Sequence, residues 1–428
     1  MTVCRTVTEN TGRRSSSLGI RHSFVIGNSS FVITGPFLFE DPTWLTIVEP
    51  NWSFLIARVL LAFEFATLNG GERSMQAVLP HFVGTEFEVV ALAPATGPLA
   101  AALQAVGVPL VPFDVRDAGG QRRPVDQIHE DLHAAIRHVR PDLLHGNSLS
   151  MGRLTGTVAA ESAAVCTAHL RDIVRLSGTA VGQLNANRAL VAVSSAVRDF
   201  HAAQGVDHSR LHVIYNGIDG RNVPPRSGTG SLRAELRLPP DAFLVAMIGQ
   251  ICLRKGQDVF ARGVALAARQ MPTAHFLLVG ERYSTKPESI AYDESIEGEL
   301  LAAGLSDRFH RLGYRTDVDR LLAEIDLVVH SARQEPFGRG LLEAAVAGCP
   351  IIATAVGGTE EMLADEQSAL LVPVDAPEVL ASAMVRLYDD AALRDRLANA
   401  AKQRVTLLFP IEKAARGLAN LWRRAMRE

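Results

Sequence analysis

From Val59 onward, short uninterrupted apolar runs alternate with stretches whose apolar residues recur at helical spacing. In the first half the runs are VLLAFEF (59–65), FEVVALA (87–93), DLLHG (142–146), VCTAHL (165–170), LVAVS (190–194) and LHVIY (211–215). In the second half they are FLVAMIG (243–249), HFLLVGE (275–281), DLVVH (326–330), PIIATAV (350–356) and ALLVPV (369–374). Strands that are apolar on both faces and separated by helices belong to parallel sheets covered on both sides. The Gly/Pro/Ser-rich segment GIDGRNVPPRSGTG (217–230) divides the two series. The pattern therefore predicts an α/β protein of two doubly wound Rossmann-like domains, 58–222 and 223–408. A closing helix over 409–428, opened by Pro410 and carrying Leu418, Leu421, Trp422 and Met426 on one stripe, is expected to pack back on the first domain. Ligands in such folds sit at the carboxyl ends of the strands, so the loops that follow these runs hold the chemistry.

Residues 1–57 break the pattern. TGRRSSSLGIR (11–21) is polar and basic, and FVIGNSSFVITGPFLF (24–39) is apolar but interrupted by Gly, Asn, Ser and Pro. No uncharged run reaches the length of a membrane span, and the interruptions do not suit a secretory signal. The segment reads as a poorly ordered extension or an upstream start, with a membrane-contacting segment as the alternative. Composition adds limits. With 428 residues, 47% hydrophobic and 21% charged, the chain has core enough for two domains, and its net charge of −3 offers no footprint for nucleic acid. Cys4, Cys166, Cys252 and Cys349 have neither paired spacing nor nearby histidines, as expected of reduced thiols in a cytoplasmic protein with at most peripheral contact at the inner face of a membrane.

The densest chemistry lies in SARQEPFGRGLLEAAVAGCPIIATAVGGTEE (331–361). A strand ends, a loop with Glu335 follows, and a helix begins near Gly338 and Gly340 and stops at Gly348 before Pro350. Unpaired amides and the positive end of the helix dipole make the helix start an anion site. Glu335 precedes it and Glu343 lies about one turn in, so a phosphate bound there would be flanked by two carboxylates that accept from hydroxyls. The phosphorylated sugar of a nucleotide sugar fits this description. Equally, two glutamates at a helix start can be there for electrostatics alone. Arg254 and Lys255, in the loop after the strand at 243–249, are placed to neutralise a diphosphate, although a solvated pair would look the same. Gly70 and Gly71 repeat the strand–glycine–helix logic in the first domain.

Taken in order, NGGERS, TAHLRD (167–172), AVSSAVRDF (192–200), VIYNGID (213–219), IGQICLRKG (248–256), LVGE (278–281), LGYRTDVDRLLAEIDLVVH (312–330) and EPFGRGLLEAAVAGCPIIATAVGGTEEML (335–363) resemble the retaining glycosyltransferases of family 4. That family has the GT-B fold, two Rossmann-like domains facing across a cleft. The resemblance covers roughly 59–428. It implies that Glu335 lies beside the transferred sugar and that the backbone of Phe337 and Gly338 contacts its hydroxyls. By the same resemblance Arg339 and Gly340 reach the diphosphate through their backbone, and Glu343 meets the ribose. Lys255 would hold the leaving diphosphate, Gly71 with Gly70 would approach it from the opposite domain, and His169 would face the reacting centre. The chain departs from the family at Gln250, where an arginine is usual, and Arg254 is the side chain that could replace it. It also lacks the residue that many relatives have between the glycine pair and Glu72.

The resemblance implies transfer of a sugar from a nucleotide-diphosphate sugar, a UDP-sugar ahead of a GDP-sugar because uridine diphosphate is the commoner leaving group among relatives, to an acceptor hydroxyl on a saccharide, lipid-linked or small molecule. Cations and helix amides at the phosphate would carry the charge, with no cofactor and no metal. Asp317-Val318-Asp319 has the letters of a metal-binding Asp-x-Asp, but Thr316 and Asp317 also read as a helix start. A nicotinamide oxidoreductase would need a G-x-G-x-x-G after a strand, which is missing. A nucleotide-sugar epimerase shares the two-domain fold but would not be expected to carry this glutamate pair. The alternative that survives is a non-catalytic homologue that partners or regulates another transferase.

Overall fold

A computed structural model describes residues 56–221, 226 and 230–428 in full, together with two short strands near the start of the chain. Those two strands, β1 (His22–Ile26) and β2 (Ser29–Ile33), pair antiparallel with Ile26 opposite Ser29. They belong to a compact unit, Met1–Phe54, separate from Leu55–Glu428. This strand pair was not anticipated; Ser29 and Ser30, which seemed to interrupt an apolar stretch, lie within β2. Up to residue 55 the rest of the expected extension, with Cys4, lies outside the described residues, as does most of the expected linker between 222 and 229.

In the second unit the chain first lays down β3 (Ala57–Ala62), β4 (Phe87–Ala93), β5 (Leu110–Pro112), β6 (Leu143–Gly146), β7 (Val165–Leu170), β8 (Ala189–Ala192) and β9 (Leu211–Val213). It then adds β10 (Phe243–Ile248), β11 (Ala274–Val279), β12 (Phe309–Gly313), β13 (Leu327–His330), β14 (Ile351–Thr354) and β15 (Leu370–Val372). The first group forms a seven-stranded sheet in the order β5-β4-β3-β6-β7-β8-β9, the second a six-stranded sheet in the order β12-β11-β10-β13-β14-β15. All pairings within both are parallel. Each order reverses direction once, between β3 and β6 and between β10 and β13, and the crevice beyond the strand ends at such a reversal is where ligands enter this architecture.

The strands are buried because their residues are apolar on both faces. Val59, Leu60 and Leu61 of β3 and Leu244, Val245 and Ala246 of β10 are wholly inaccessible. The closing helix Ile411–Arg427 packs on the first sheet, where Leu418, Leu421 and Trp422 join Val59, Leu61 and Met75 in one apolar cluster. The chain thus crosses between lobes twice, and the crossings run side by side: Ile218 N–H donates to the Phe409 carbonyl and Ile411 N–H to the Ile218 carbonyl. Among the described residues no helix is long and apolar enough to cross a membrane.

Candidate functional site

A cleft of about 410 Å³ lies between the carboxyl ends of the two sheets. Eleven of the twelve site residues inferred from sequence line it: Gly70 and Gly71 from the first lobe, and Gln250, Arg254, Lys255, Glu335, Phe337, Gly338, Arg339, Gly340 and Glu343 from the second.

Glu335 is 3% exposed, at the end of the loop after β13. Lys255 Nζ donates to its Oε2 at 2.6 Å and His330 Nε2 bonds the same oxygen at 2.7 Å, while Oε1 receives no hydrogen bond from any described residue. Burial by itself would raise the Glu335 pKa, but the Lys255 ammonium and the His330 bond outweigh it and hold the carboxyl well below the usual range. The His330 pKa is lowered, first by burial and then by Lys255. A neutral His330 therefore donates its Nε2–H to a carboxylate that stays charged.

Glycines give this loop its shape. Gly256 has φ +70°, and a Cβ there would lie 2.0 Å from the Ser331 carbonyl oxygen, so only glycine lets the Lys255 turn sit against the Glu335 loop. Ser331 Oγ donates to the Gly256 carbonyl at 2.7 Å across the same contact. Gly357 and Gly358 press on the other side: Gly358 N–H donates to the Glu335 carbonyl at 2.8 Å, and a Cβ on either residue would come within 2.3 Å of a loop carbonyl. The glycine pair that follows β14 is a backbone clamp on Glu335. Arg333 adds a third restraint, bonding both Asp258 carboxylate oxygens at 2.7 and 2.8 Å and the Leu253 carbonyl at 2.9 Å.

Helix Arg339–Ala347 starts beside Glu335 with Gly338 at its cap. Glu343 accepts from Arg339 Nε at 2.8 Å, and Arg339 Nη1 is buried with no partner among the described residues. Arg254 is exposed on the cleft and has no side-chain partner among the described residues, whereas Gln250 lines the wall with its carbonyl bonded to Gln257. Asp317 stands at the cap of helix Val318–Glu324, its carboxylate taken up by Arg315 and Arg320 at 2.8 Å each. That pairing leaves Asp-x-Asp without a free first carboxylate.

His169 is placed differently from the expectation. It lies near the end of β7, is 5% exposed and does not line the cleft. Arg171 stands in front of it, and His169 opens instead on a crevice of about 20 Å³ that shares Arg171 and Asn216 with the cleft. His169 lies inside β7, whereas Arg171 stands just beyond the strand end, so Arg171 reaches the cleft and His169 stays behind it. Arg171 donates to the Asn147 carbonyl and Oδ1 and to Asn216 Oδ1, all at 2.9 Å, and Asn216 Nδ2 donates to the Phe337 carbonyl at 3.3 Å. Burial lowers the Arg171 pKa to about 10, and burial raises that of neighbouring Glu72. Sequence reasoning missed His330, Asn147, Arg171 and Asn216. Of these, His330 alone had a local signal, a polar residue closing an apolar strand five positions before Glu335.

Residues 68–221 match the model for Glycosyltransferase Family 4 and residues 229–404 that for Glycosyl transferases group 1. A D-inositol 3-phosphate glycosyltransferase from Nocardioides sp. is 34% identical over 231 residues, 52% of this chain and 50% of that protein. The lipopolysaccharide core biosynthesis mannosyltransferase LpsB of Rhizobium meliloti is 29% identical over 220 residues, 50% of this chain and 61% of its own. The matches thus span between about half and three fifths of these curated relatives. The crystal structure of Anabaena HepE in complex with UDP-glucose superposes with a TM-score of 0.74 at 21% identity, covering 85% of this chain and 98% of that one.

Proposed function

Because the chain belongs to the family 4 and group 1 glycosyltransferases and has their GT-B fold, we propose that its cleft binds a nucleotide-diphosphate sugar, a UDP-sugar ahead of a GDP-sugar, and transfers the sugar to an acceptor hydroxyl. The proposal includes retention of anomeric configuration and independence of metal. One observation carries it. Glu335 is locked through Oε2 between Lys255 and His330, while Oε1 is left for a substrate hydroxyl beside a helix start that can hold phosphate.

In this reading the bond between the anomeric carbon and the β-phosphate oxygen breaks while the acceptor oxygen bonds the same carbon from the same face. The acceptor proton passes to the departing phosphate oxygen. Negative charge grows on the diphosphate, where the Lys255 ammonium, the exposed Arg254 and the amides of Arg339 and Gly340 meet it; preorganised groups of this kind act without rearranging during the reaction. Arg254 takes the place of the arginine missing at Gln250. Glu335 orients the sugar and stabilises positive charge at the anomeric centre. With Oε2 held by two donors it is poorly suited to be a nucleophile. Glu343, once its partner Arg339 turns to phosphate, accepts from the ribose.

The relatives' names mention an inositol phosphate and a lipopolysaccharide core. For this chain the proposed acceptor is a hydroxyl-bearing saccharide, lipid-linked sugar or small polyol. The thiols of Cys166, Cys252 and Cys349 are free, which supports a reducing, cytoplasmic setting. The test is release of nucleoside diphosphate from a panel of UDP- and GDP-sugars, alone and with simple acceptors. Turnover with one donor, falling about 100-fold or more in Lys255→Ala, is the expected result. Equal release by the variant would remove Lys255 from the leaving-group site, and no release from any donor would favour a non-catalytic homologue.

A further inference from the structure

His145 lies on β6 and is wholly buried, with partners at both ring nitrogens. Its Nδ1 is 2.8 Å from Thr167 Oγ1 and 3.2 Å from Trp422 Nε1, and its Nε2 is 2.6 Å from His169 Nδ1. Indole N–H can only donate, so His145 Nδ1 must be an acceptor and its proton must sit on Nε2. That proton is then donated to His169 Nδ1, which forces the His169 proton onto Nε2. Both rings are kept neutral, His145 with its pKa lowered to about 3 and His169 lowered well below the ordinary value, by burial first and by the Arg171 charge second.

We propose that Trp422, on the last helix, is a positioning residue that sets the tautomer of His169 through His145, so that His169 faces the crevice behind Arg171 as an N–H donor and never as a base. The geometry around Trp422 suits the task. Its ring is fully buried, 4.9 Å from Phe82 and 5.4 Å from Phe87 between centroids, so its N–H direction is fixed by packing. The His145 and His169 ring centroids are 4.9 Å apart with the bonded nitrogens 2.6 Å apart, which places those nitrogens in line between the two rings. The second crossing of the chain thereby returns to the first lobe and reaches, through two imidazoles, the wall shared with the cleft. A donor here can hold an oxygen in the crevice whose Arg171 and Asn216 also line the cleft, and so acts on that wall and not on the substrate itself. It cannot take the acceptor's proton, which leaves that proton to the departing phosphate. This catalytic consequence rests on the cleft being a glycosyl-transfer site; the tautomer assignment does not.

The test uses the full chain with ¹⁵N-labelled histidine, reading which ring nitrogen is protonated at neutral pH, with His145→Gln and His169→Gln to assign the two signals. The expected spectrum has both rings neutral with the proton on Nε2. A charged ring, or a proton on Nδ1 of either, overturns the proposal. In Trp422→Phe the aromatic packing is largely kept and the donor is lost. Thr167 can then accept from His145 and the chain of bonds can reverse, so a mixture of tautomers appears at both rings. Turnover falls about five-fold, the change in tautomer ratio that one hydrogen bond is worth, with the donor KM unchanged. Unchanged tautomers in a folded Trp422→Phe would contradict the relay, and if that variant does not fold the wild-type spectrum still decides. Correct tautomers with no transfer from any nucleotide sugar would leave the relay standing and sink the reading of the cleft.

Discussion

In the proposed mechanism Glu335 is the side chain on which the chemistry turns. Glu335→Gln keeps the shape, removes the charge and leaves Lys255 without its counter-ion. Turnover should drop about 100-fold while nucleotide affinity, measured by calorimetry, stays nearly intact; a loss of affinity as large as the loss of rate would contradict an orienting role at the sugar. The buried histidines set the acid side of the stability profile. His145, His169 and His330 all have pKa values lowered by burial, so in acid the unfolded chain takes up protons that the folded one refuses. Their contribution is complete above the unfolded value of about 6.5 and is lost as pH falls below it, by up to about 1.4 kcal/mol per pH unit for each. The depressed Glu335 carboxyl adds a further loss only below the ordinary glutamate range of about 4.3. Urea unfolding at pH 7 and pH 5 should show this slope, and it should be shallower in His169→Gln; an identical slope would mean that His169 is not held neutral.

The loops and strands around the site follow from backbone demands that single residues meet. Gly256→Ala forces a Cβ against the Ser331 carbonyl at a left-handed φ, and should cost about 2 kcal/mol or more, lowering the denaturant midpoint and weakening nucleotide binding through Lys255. An unchanged midpoint would refute the contact. Much of this was readable in the sequence. The apolar runs located β3, β4, β6–β11 and β13–β15 because strands buried on both faces admit few polar residues. Within the two large sheets, two strands were not found. β5 has three residues, and β12, Phe309–Gly313, sits at a sheet edge where His310 and Arg311 break the apolar run. At the site, Glu335, Gly338 and Glu343 were legible because one strand, loop and helix start bring them together locally, and Lys255 because it follows the end of an apolar strand of its own, β10, the neighbour of β13. Arg171, Asn147 and Asn216 were not, since they meet only when three separate strand ends converge. His169 fell short of the cleft for a related reason: it lies inside β7, and Arg171, just beyond the strand end, stands between it and the cleft.

The two lobes are joined at more than the crossings. Glu361, one turn after the glycine clamp, caps helix Ser195–Ala202 of the opposite lobe, accepting from the amides of Ser195 and Ala196 at 2.9 Å and from Tyr215 Oη at 2.8 Å. Beside it Phe337, Tyr215 and Phe409 form a triangle with ring centroids 5.1 to 5.2 Å apart, uniting the Glu335 loop with both crossings. Lobe orientation and the position of the Glu335 loop are therefore coupled, and closure over a donor would pivot here. Glu361→Ala should speed hydrogen exchange at Ser195–Val197 and cost about 1 to 3 kcal/mol; exchange as slow as in the wild type would mean that the cap is dispensable. The account as a whole rests on a nucleoside diphosphate occupying the cleft. Thermal unfolding with UDP, GDP, ADP and dTDP in turn tests it, since a ligand at about 100-fold over its Kd adds about 2.7 kcal/mol. The expected result is a rise of a few degrees with UDP, lost in Glu343→Ala. No shift with any of the four nucleotides would contradict the assignment of the cleft.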